Sequence, residues 1–184
     1  IFISSLPGKE TVMSDLSILN NTLWIATLNN GIFISDLQNP ASLKHLRAGE
    51  SNEHISSNNI KCLYPDRDNY MWIGTRNQGI CKYDPSTGKI IRGFYSFYQG
   101  NSLSKNFVLS IHQDNQGITW AGLSGGGLAK YDPGKFQFNT YRQLPATKNS
   151  LADNMIFCIY GLGKNSVFIG SQNGGLSHAD FSTH

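Results

Sequence analysis

An all-β fold, about four repeats of four short antiparallel strands, is what three observations in this sequence predict. Trp24, Trp72, Trp120 and Phe168 recur at a fixed step of 48 residues. Gly31, Gly79, Gly127 and Gly175 keep that step, and so do Asp36, Asp84, Asp132 and Asp180. Between these markers lie short runs rich in β-branched and aromatic residues, separated by Gly, Asn and Asp, with no 3.6-residue periodicity. Four strands per 40–50 residues, repeated without interruption, make the blades of a β-propeller. The prediction is therefore one propeller segment over residues 1–184, an arc of a larger propeller, with a closed four-bladed ring as the other possibility.

Composition agrees. Charged residues make up 15% of the chain, against about 25% in an average globular domain, and glycine is abundant. That balance suits short strands and tight turns. A net charge of +3, spread without a basic cluster, gives no reason to expect nucleic acid as a partner. No apolar run approaches the ~20 residues of a membrane span, and no signal peptide is recognisable at the start, so no direct membrane contact is expected. Cys62, Cys81 and Cys158 form no metal-ligand or redox spacing. Cys62 and Cys158 fall two repeats apart, with Ser110 between them, which reads as one small, half-buried strand position. No cofactor and no metal are expected.

The elements follow in order. Ile1–Ser4 reads as an outer strand of a preceding or of the last blade, and Pro7-Gly8 as a turn. Blades are expected over 5–52, 53–100 and 101–148, with an incomplete one over 149–184. In the first, strands at Val12–Leu19, Leu23–Thr27, Ile32–Ile34 and Ser42–Leu46 are separated by Asn20-Asn21 and Asn29-Asn30-Gly31. The second gives Ile60–Tyr64, Met71–Thr75, Ile80–Tyr83 and Ile90–Tyr95, and the third Val108–His112, Ile118–Leu123, Leu128–Tyr131 and Phe136–Tyr141. The Asp132-Pro133-Gly134 turn is two residues shorter than its predecessor and the following loop is two longer, so the period is restored. The fourth gives Ile156–Tyr160, Val167–Ser171 and Leu176–Ala179.

Each marker has a physical role. An aromatic residue on the second strand fills the wedge between blades, and the small residue two positions on shares its face and lets backbones approach. Gly79, Gly127 and Gly175 suit turns that need positive φ. Asp84-Pro85 and Asp132-Pro133 open turns by side-chain bonds to nearby backbone N–H groups. Asn58, Asn106 and Asn154 read as a repeated backbone cap.

Several of these runs together resemble the two-component regulator propeller repeat: Asn101–Ile111, Thr119–Gly122 and Gly126–Pro133, echoed by Ser57–Ile60, Met71–Thr75 and Gly79–Pro85, and by Asn149–Asn154 and Phe168–Ser171. The first repeat departs from it, with Asp15 where later copies have Leu63, Ile111 and Ile159. The resemblance implies the periplasmic sensor region of bacterial hybrid two-component systems, seven-bladed propellers ahead of a membrane span and a histidine kinase. It further implies sensing of oligosaccharides and control of polysaccharide-use genes.

Catalytic chemistry finds little support, because the five histidines do not converge. His112 takes the slot of Tyr64 and Tyr160, and His178 that of Lys82 and Lys130. Asp66–Asn69 and Asp114–Gly117 lack the downstream Glu of a calcium loop and read as hairpin turns. A binding face is better supported. Turns between second and third strands bring Asn29, Asn30, Arg76, Asn77, Gln78, Ser124, Gln172 and Asn173 to one face, and Phe97, Tyr98, Gln99 and Asn101 join them from the inter-blade loops. Amides that both donate and accept, beside aromatic rings, suit hydroxyl-rich sugars. Ser124, in the slot held by Leu28, Arg76 and Gln172, marks where the copies differ. The expected partners are an oligosaccharide and, for the blade ends, the remaining blades of a parent propeller or a second copy of the chain. The rival readings are a propeller lyase or hydrolase and a protein–protein interaction scaffold.

Overall fold

In a computed structural model of the chain, residue 6 and residues 11–94, 103–134, 137–163 and 166–181 are described. The expected strand at Ile1–Ser4, the Pro7-Gly8 turn and Phe97, Tyr98, Gln99 and Asn101 lie outside them. The chain divides into two compact units, Ile1–Gly93 and Phe94–His184.

The first unit holds two four-stranded antiparallel sheets in simple sequence order. One is β1 (Met13–Leu19), β2 (Thr22–Thr27), β3 (Ile32–Asp36) and β4 (Leu43–Leu46), and the other is β5 (Ile60–Pro65), β6 (Met71–Thr75), β7 (Ile80–Asp84) and β8 (Lys89–Phe94). The second unit holds β9 (Val108–Gln113), β10 (Thr119–Leu123), β11 (Gly127–Asp132) and β12 (Gln137–Tyr141), then a three-stranded sheet of β13 (Ile156–Gly163), β14 (Ser166–Ser171) and β15 (Gly175–Asp180). No helix is present among the described residues.

Each unit has a core between its two sheets. In the first, Trp24, Ala26, Ile32 and Leu46 meet Ile60, Leu63, Ile73, Cys81 and Tyr83. Trp24 packs edge-on against Tyr83 of the next sheet, ring centres 5.6 Å apart. In the second, Trp120, Leu128, Ile156, Val167 and Ile169 are buried together, and Trp120 lies 4.7 Å from Phe181. The wedge role expected of the tryptophans is met at Trp24 and Trp120. The small residue two positions on is equally necessary, since a Cβ on Gly122 would stand 2.8 Å from the carbonyl oxygen of Ile156.

One strand departs from the period. Cys62, Leu63 and Tyr64 pair with Gly74, Ile73 and Trp72, but Asp15, Leu16 and Ser17 pair with Ala26, Ile25 and Trp24. Leu16, not Asp15, therefore corresponds to Leu63, and Asp15 holds the slot of Cys62. The cause is turn length. Asn20 and Asn21, at φ 48° and 60°, form a two-residue turn with both centres left-handed, the geometry that matches hairpin twist. The turn is one residue shorter than its counterparts in the second and third blades, and turn length sets register, so β1 slides by one. A second contact agrees: the N–H groups of Arg76, Ser124 and Gln172 donate to the carbonyls of Asn59, Phe107 and Met155, whereas Leu28 N–H donates to Val12.

Candidate functional site

The turns carrying the candidate residues are built alike. Thr27 Oγ1 donates to the carbonyl of Gly31 at 2.8 Å and accepts from Asn30 N–H. Thr75 Oγ1 does the same with Gly79 and Gln78 N–H. Gly31, Gly79, Gly127 and Gly175 all have positive φ, between 65° and 78°, as expected of residues that close such turns.

In the first unit two turns flank one short segment, Ser57–Asn59. Gly31 N–H donates to the carbonyl of Asn58 at 2.9 Å, and Arg76 N–H to that of Asn59 at 3.0 Å. Ser57 Oγ donates to Asn77 Oδ1 at 2.7 Å and accepts from Asn59 N–H. Asn29, Arg76, Asn77 and Gln78 are exposed and Asn30 is half-buried. The ring of His45, stacked 4.0 Å from Phe33, hydrogen-bonds the carbonyl of Asn30 through Nε2 at 2.6 Å.

The second unit repeats the plan around Asp153–Met155. Gly127 N–H donates to the carbonyl of Asn154, and Gln172 N–H to that of Met155 at 3.1 Å. Asp153 stands where Ser57 stood: its carboxylate accepts from Met155 N–H at 3.1 Å and from Asn173 N–H at 2.8 Å. Those bonds hold its carboxyl below the usual range. Gln172 and Asn173 are exposed; Ser124 is half-buried and donates to the Met155 sulfur at 3.3 Å. Tyr98 lies outside the described residues.

The expected caps are present at Asn58, whose Oδ1 accepts from Ala48 N–H at 2.8 Å, and at Asn154, which accepts from Gln143 N–H at 2.8 Å. Asp84 and Asp132 open their turns as expected, accepting from Ser86 and Gly134 N–H. The bonds from Ser86 and Thr87 outweigh the effect of burial and hold the Asp84 carboxyl below its ordinary range.

Sequence reasoning took Asp66 and Asp114 for turn residues and missed what their carboxylates reach. Asp66, buried, accepts from Asp68 and Tyr70 N–H, from Trp72 Nε1 at 2.9 Å and from Lys82 Nζ at 2.9 Å. Asp114, also buried, accepts from Gln116 and Ile118 N–H and from Trp120 Nε1 at 3.1 Å. The signal was there: an Asp six residues before the Trp in both copies. The lysines sit over the same rings, Lys82 Nζ 5.0 Å from Trp72 and Lys130 Nζ 5.2 Å from Trp120.

The described histidines have separate partners. His54 Nδ1 is 2.6 Å from Ser51 Oγ, and His178 Nε2 is 2.7 Å from Ser166 Oγ, its ring beside Phe168. His112 Nε2 accepts from Gly161 N–H at 3.1 Å. Desolvation lowers its pKa and nearby Asp114 only partly opposes that. Among the described residues no group of three or more His, Cys, Asp or Glu is placed to hold a metal. The shared small slot is buried at Cys62, whose thiol is pushed up to about 12 by burial and then by the Asp15 charge. Cys158 in the same slot is exposed, correcting the half-buried reading: no described residue covers that face of β13.

Sheets of this kind, four strands in sequence order with a tryptophan wedge, are β-propeller blades, and comparison with solved structures agrees. The chain is similar to the computationally designed Ika4 protein, at 15% identity and a TM-score of 0.65, covering 95% of this chain and 94% of that one. It is similar to the WD40 β-propeller domain of Doa1, at 13% identity and a TM-score of 0.69, covering 93% of this chain and 51% of that one. It is also similar to the extracellular domain of BT4673 from B. thetaiotaomicron, described as a one component system, at 20% identity and a TM-score of 0.52. There the match covers 95% of this chain and 28% of that one, so the chain spans under a third of that domain. The search of curated proteins found no match. The family model described as two component regulator propeller matches residues 54–77, the lead-in, β5, β6 and the turn that carries Arg76 and Asn77. Within the second blade, the match is confined to this first half, which is similar to a two-component regulator propeller repeat.

Proposed function

We propose that this chain is a ligand-sensing, non-enzymatic propeller segment of a two-component signalling receptor, working in the periplasm. In this reading it recognises an oligosaccharide through its B–C turns, those joining second and third strands, and regulates transcription of polysaccharide-use genes. The observation that carries the reading is the match at 54–77, which ends on the turn bearing the candidates. The geometry supports it. Each turn is fastened by backbone bonds to the segment entering its own blade or the next, so exposed side chains such as Gln78 and Gln172 stand on a fixed base, which limits the ordering cost of binding. Amides of this kind meet hydroxyl groups as both donors and acceptors.

The open face of the last sheet belongs to the same reading. Leu176 is 73% exposed, whereas Ile32, Ile80 and Leu128 in its slot are 0% exposed. We assign that face to the next repeat of a parent propeller. The decisive experiment is a thermal-shift survey of the intact receptor against neutral and anionic oligosaccharides, repeated with Gln78→Ala and Gln172→Ala. At least one sugar should stabilise the receptor, and the substitutions should reduce the shift. If no sugar shifts the melting of the intact receptor, the glycan reading is abandoned.

A further inference from the structure

The rim opposite the B–C turns carries a feature that none of the expectations above touch. In the first unit a cleft of about 530 Å³ opens between the β1–β2 turn, the β5–β6 turn and the β7–β8 turn. It follows from the difference in turn length. The β1–β2 turn is a two-residue hairpin at Asn20-Asn21, while the β5–β6 turn is a longer loop wound around the Asp66 carboxylate. Adjacent turns of unequal length leave a gap where equal ones would meet. The volume lies within the ~300–1,000 Å³ of small-molecule sites.

The lining combines an apolar base with a polar edge. Leu19, Tyr70 and Pro85 supply the apolar part, and Asn20, Asp68 and Asn69 the polar part. The other polar groups nearby are already occupied. Asp66 is taken by Trp72 and Lys82, and Asp84 by Ser86 and Thr87. Thr22 Oγ1 accepts from Trp24 Nε1. Asp68 differs. Its residue is exposed, and its carboxylate has no hydrogen-bond or ion-pair partner among the described residues.

We propose that this cleft is a binding site for a neutral polyhydroxylated ligand of about sugar-ring size, with Asp68 as its principal hydrogen-bond acceptor. A carboxylate accepts from two hydroxyl groups of one ring, and amides such as Asn20 and Asn69 can donate and accept beside it. Apolar groups such as Leu19 and Pro85 suit the C–H face of such a ring. The class disfavours anionic sugars: Asp68 and Asp84 both line the cleft and no Lys, Arg or His does, and the Lys82 ammonium, 4.2 Å from the Tyr70 ring, is already paired with Asp66, so a sulfate or carboxylate would meet like charge. The site is on the other rim from the B–C turns, and the proposal does not depend on them.

Calorimetric titration of the 184-residue chain with neutral oligosaccharides, and with sulfated and uronic-acid oligosaccharides, tests the assignment on four proteins: unchanged, Asp68→Ala, Gln78→Ala and the control Glu50→Ala. Asp68 is exposed and its side chain is unbonded, so its removal leaves the fold intact. A neutral sugar is expected to bind. Losing a charge-assisted bond weakens an affinity about tenfold or more, so Asp68→Ala should do so, while the control Glu50→Ala, an exposed carboxylate outside the cleft, leaves the affinity unchanged. No binding by any neutral sugar overturns the proposal, as does equal binding by anionic ones or an affinity indifferent to Asp68→Ala. Binding lost with Gln78→Ala and kept with Asp68→Ala overturns it too, while upholding the B–C turn reading.

Discussion

A buried indole must place its N–H, and this chain does so in two ways. Trp72 and Trp120 donate to Asp66 and Asp114, carboxylates that also gather the backbone N–H groups of their turns. Trp24 donates to Thr22 Oγ1 at 2.9 Å instead, because its shortened turn has no such Asp. The spacing of the tryptophans was legible in the sequence; the carboxylate beneath each was marked only by its repeated place six residues before the Trp, and turn propensity alone accounts for an Asp there. His112 is a similar case. Its Nε2 must be unprotonated to accept from Gly161 N–H, and burial lowers its pKa from the ordinary 6.5. The unfolded chain then binds more protons than the folded one just below that value, so stability is full above it and falls as pH drops through it toward the lower folded value. Urea denaturation from about pH 7.5 to about pH 5.5 should show wild type losing stability relative to His112→Gln. A constant difference across that range would remove His112 from the account.

Turns govern the elements. The repeating glycines announced left-handed positions, and the structure shows why Gly127, one of them, tolerates less than its neighbour Gly125. Gly125 and Gly127 both have positive φ, 68° and 78°. A Cβ at Gly125 meets nothing within 4 Å, while one at Gly127 would stand 2.1 Å from the carbonyl oxygen of Tyr141. Gly125→Ala should therefore cost only the conformational penalty, about 1–2 kcal/mol. Gly127→Ala should cost clearly more, because the β11–β12 ladder must shift as well. Equal losses in denaturant melts would refute the steric account. The β1 register shows where sequence reading stops. Asn20-Asn21 was legible as a turn, but a period counts residues along the chain, whereas pairing is fixed by turn geometry. Asp15 consequently fell into the wrong slot by one position.

At the scale of the whole molecule, repetition makes each blade a control for the others. Leu128 and Leu176 occupy one slot, 0% and 73% exposed. Leu128→Ala should cost about 2–5 kcal/mol. Leu176→Ala should change stability by no more than about 0.5 kcal/mol, and a comparable loss at both would mean that the last face is covered. In the first unit Leu16, 58% exposed, contrasts in the same way with Leu63 at 7%. Fold and turn positions were legible because both follow from backbone geometry, which recurs. The chemistry of a site was legible only as residue type. The cleft beside Asp68 was not legible at all, because it arises from a difference between neighbouring turns that no single repeat contains.

The displaced β1 has a mechanical consequence. One of its ends is the Asn20-Asn21 hairpin beside the cleft, and the other leads to Val12, bonded to the B–C turn through Leu28 N–H at 2.9 Å. A strand slides as a rigid rod, about 3.3 Å per residue, and each step turns its side chains to the opposite face. A hairpin longer by one residue, as before β6, is therefore taken up in the turn itself, leaving Leu16 opposite Ile25 and Asp15 on its 2.8 Å bond with Leu63 N–H. A loop on one rim can thus change length without disturbing the strand pairing that reaches the other.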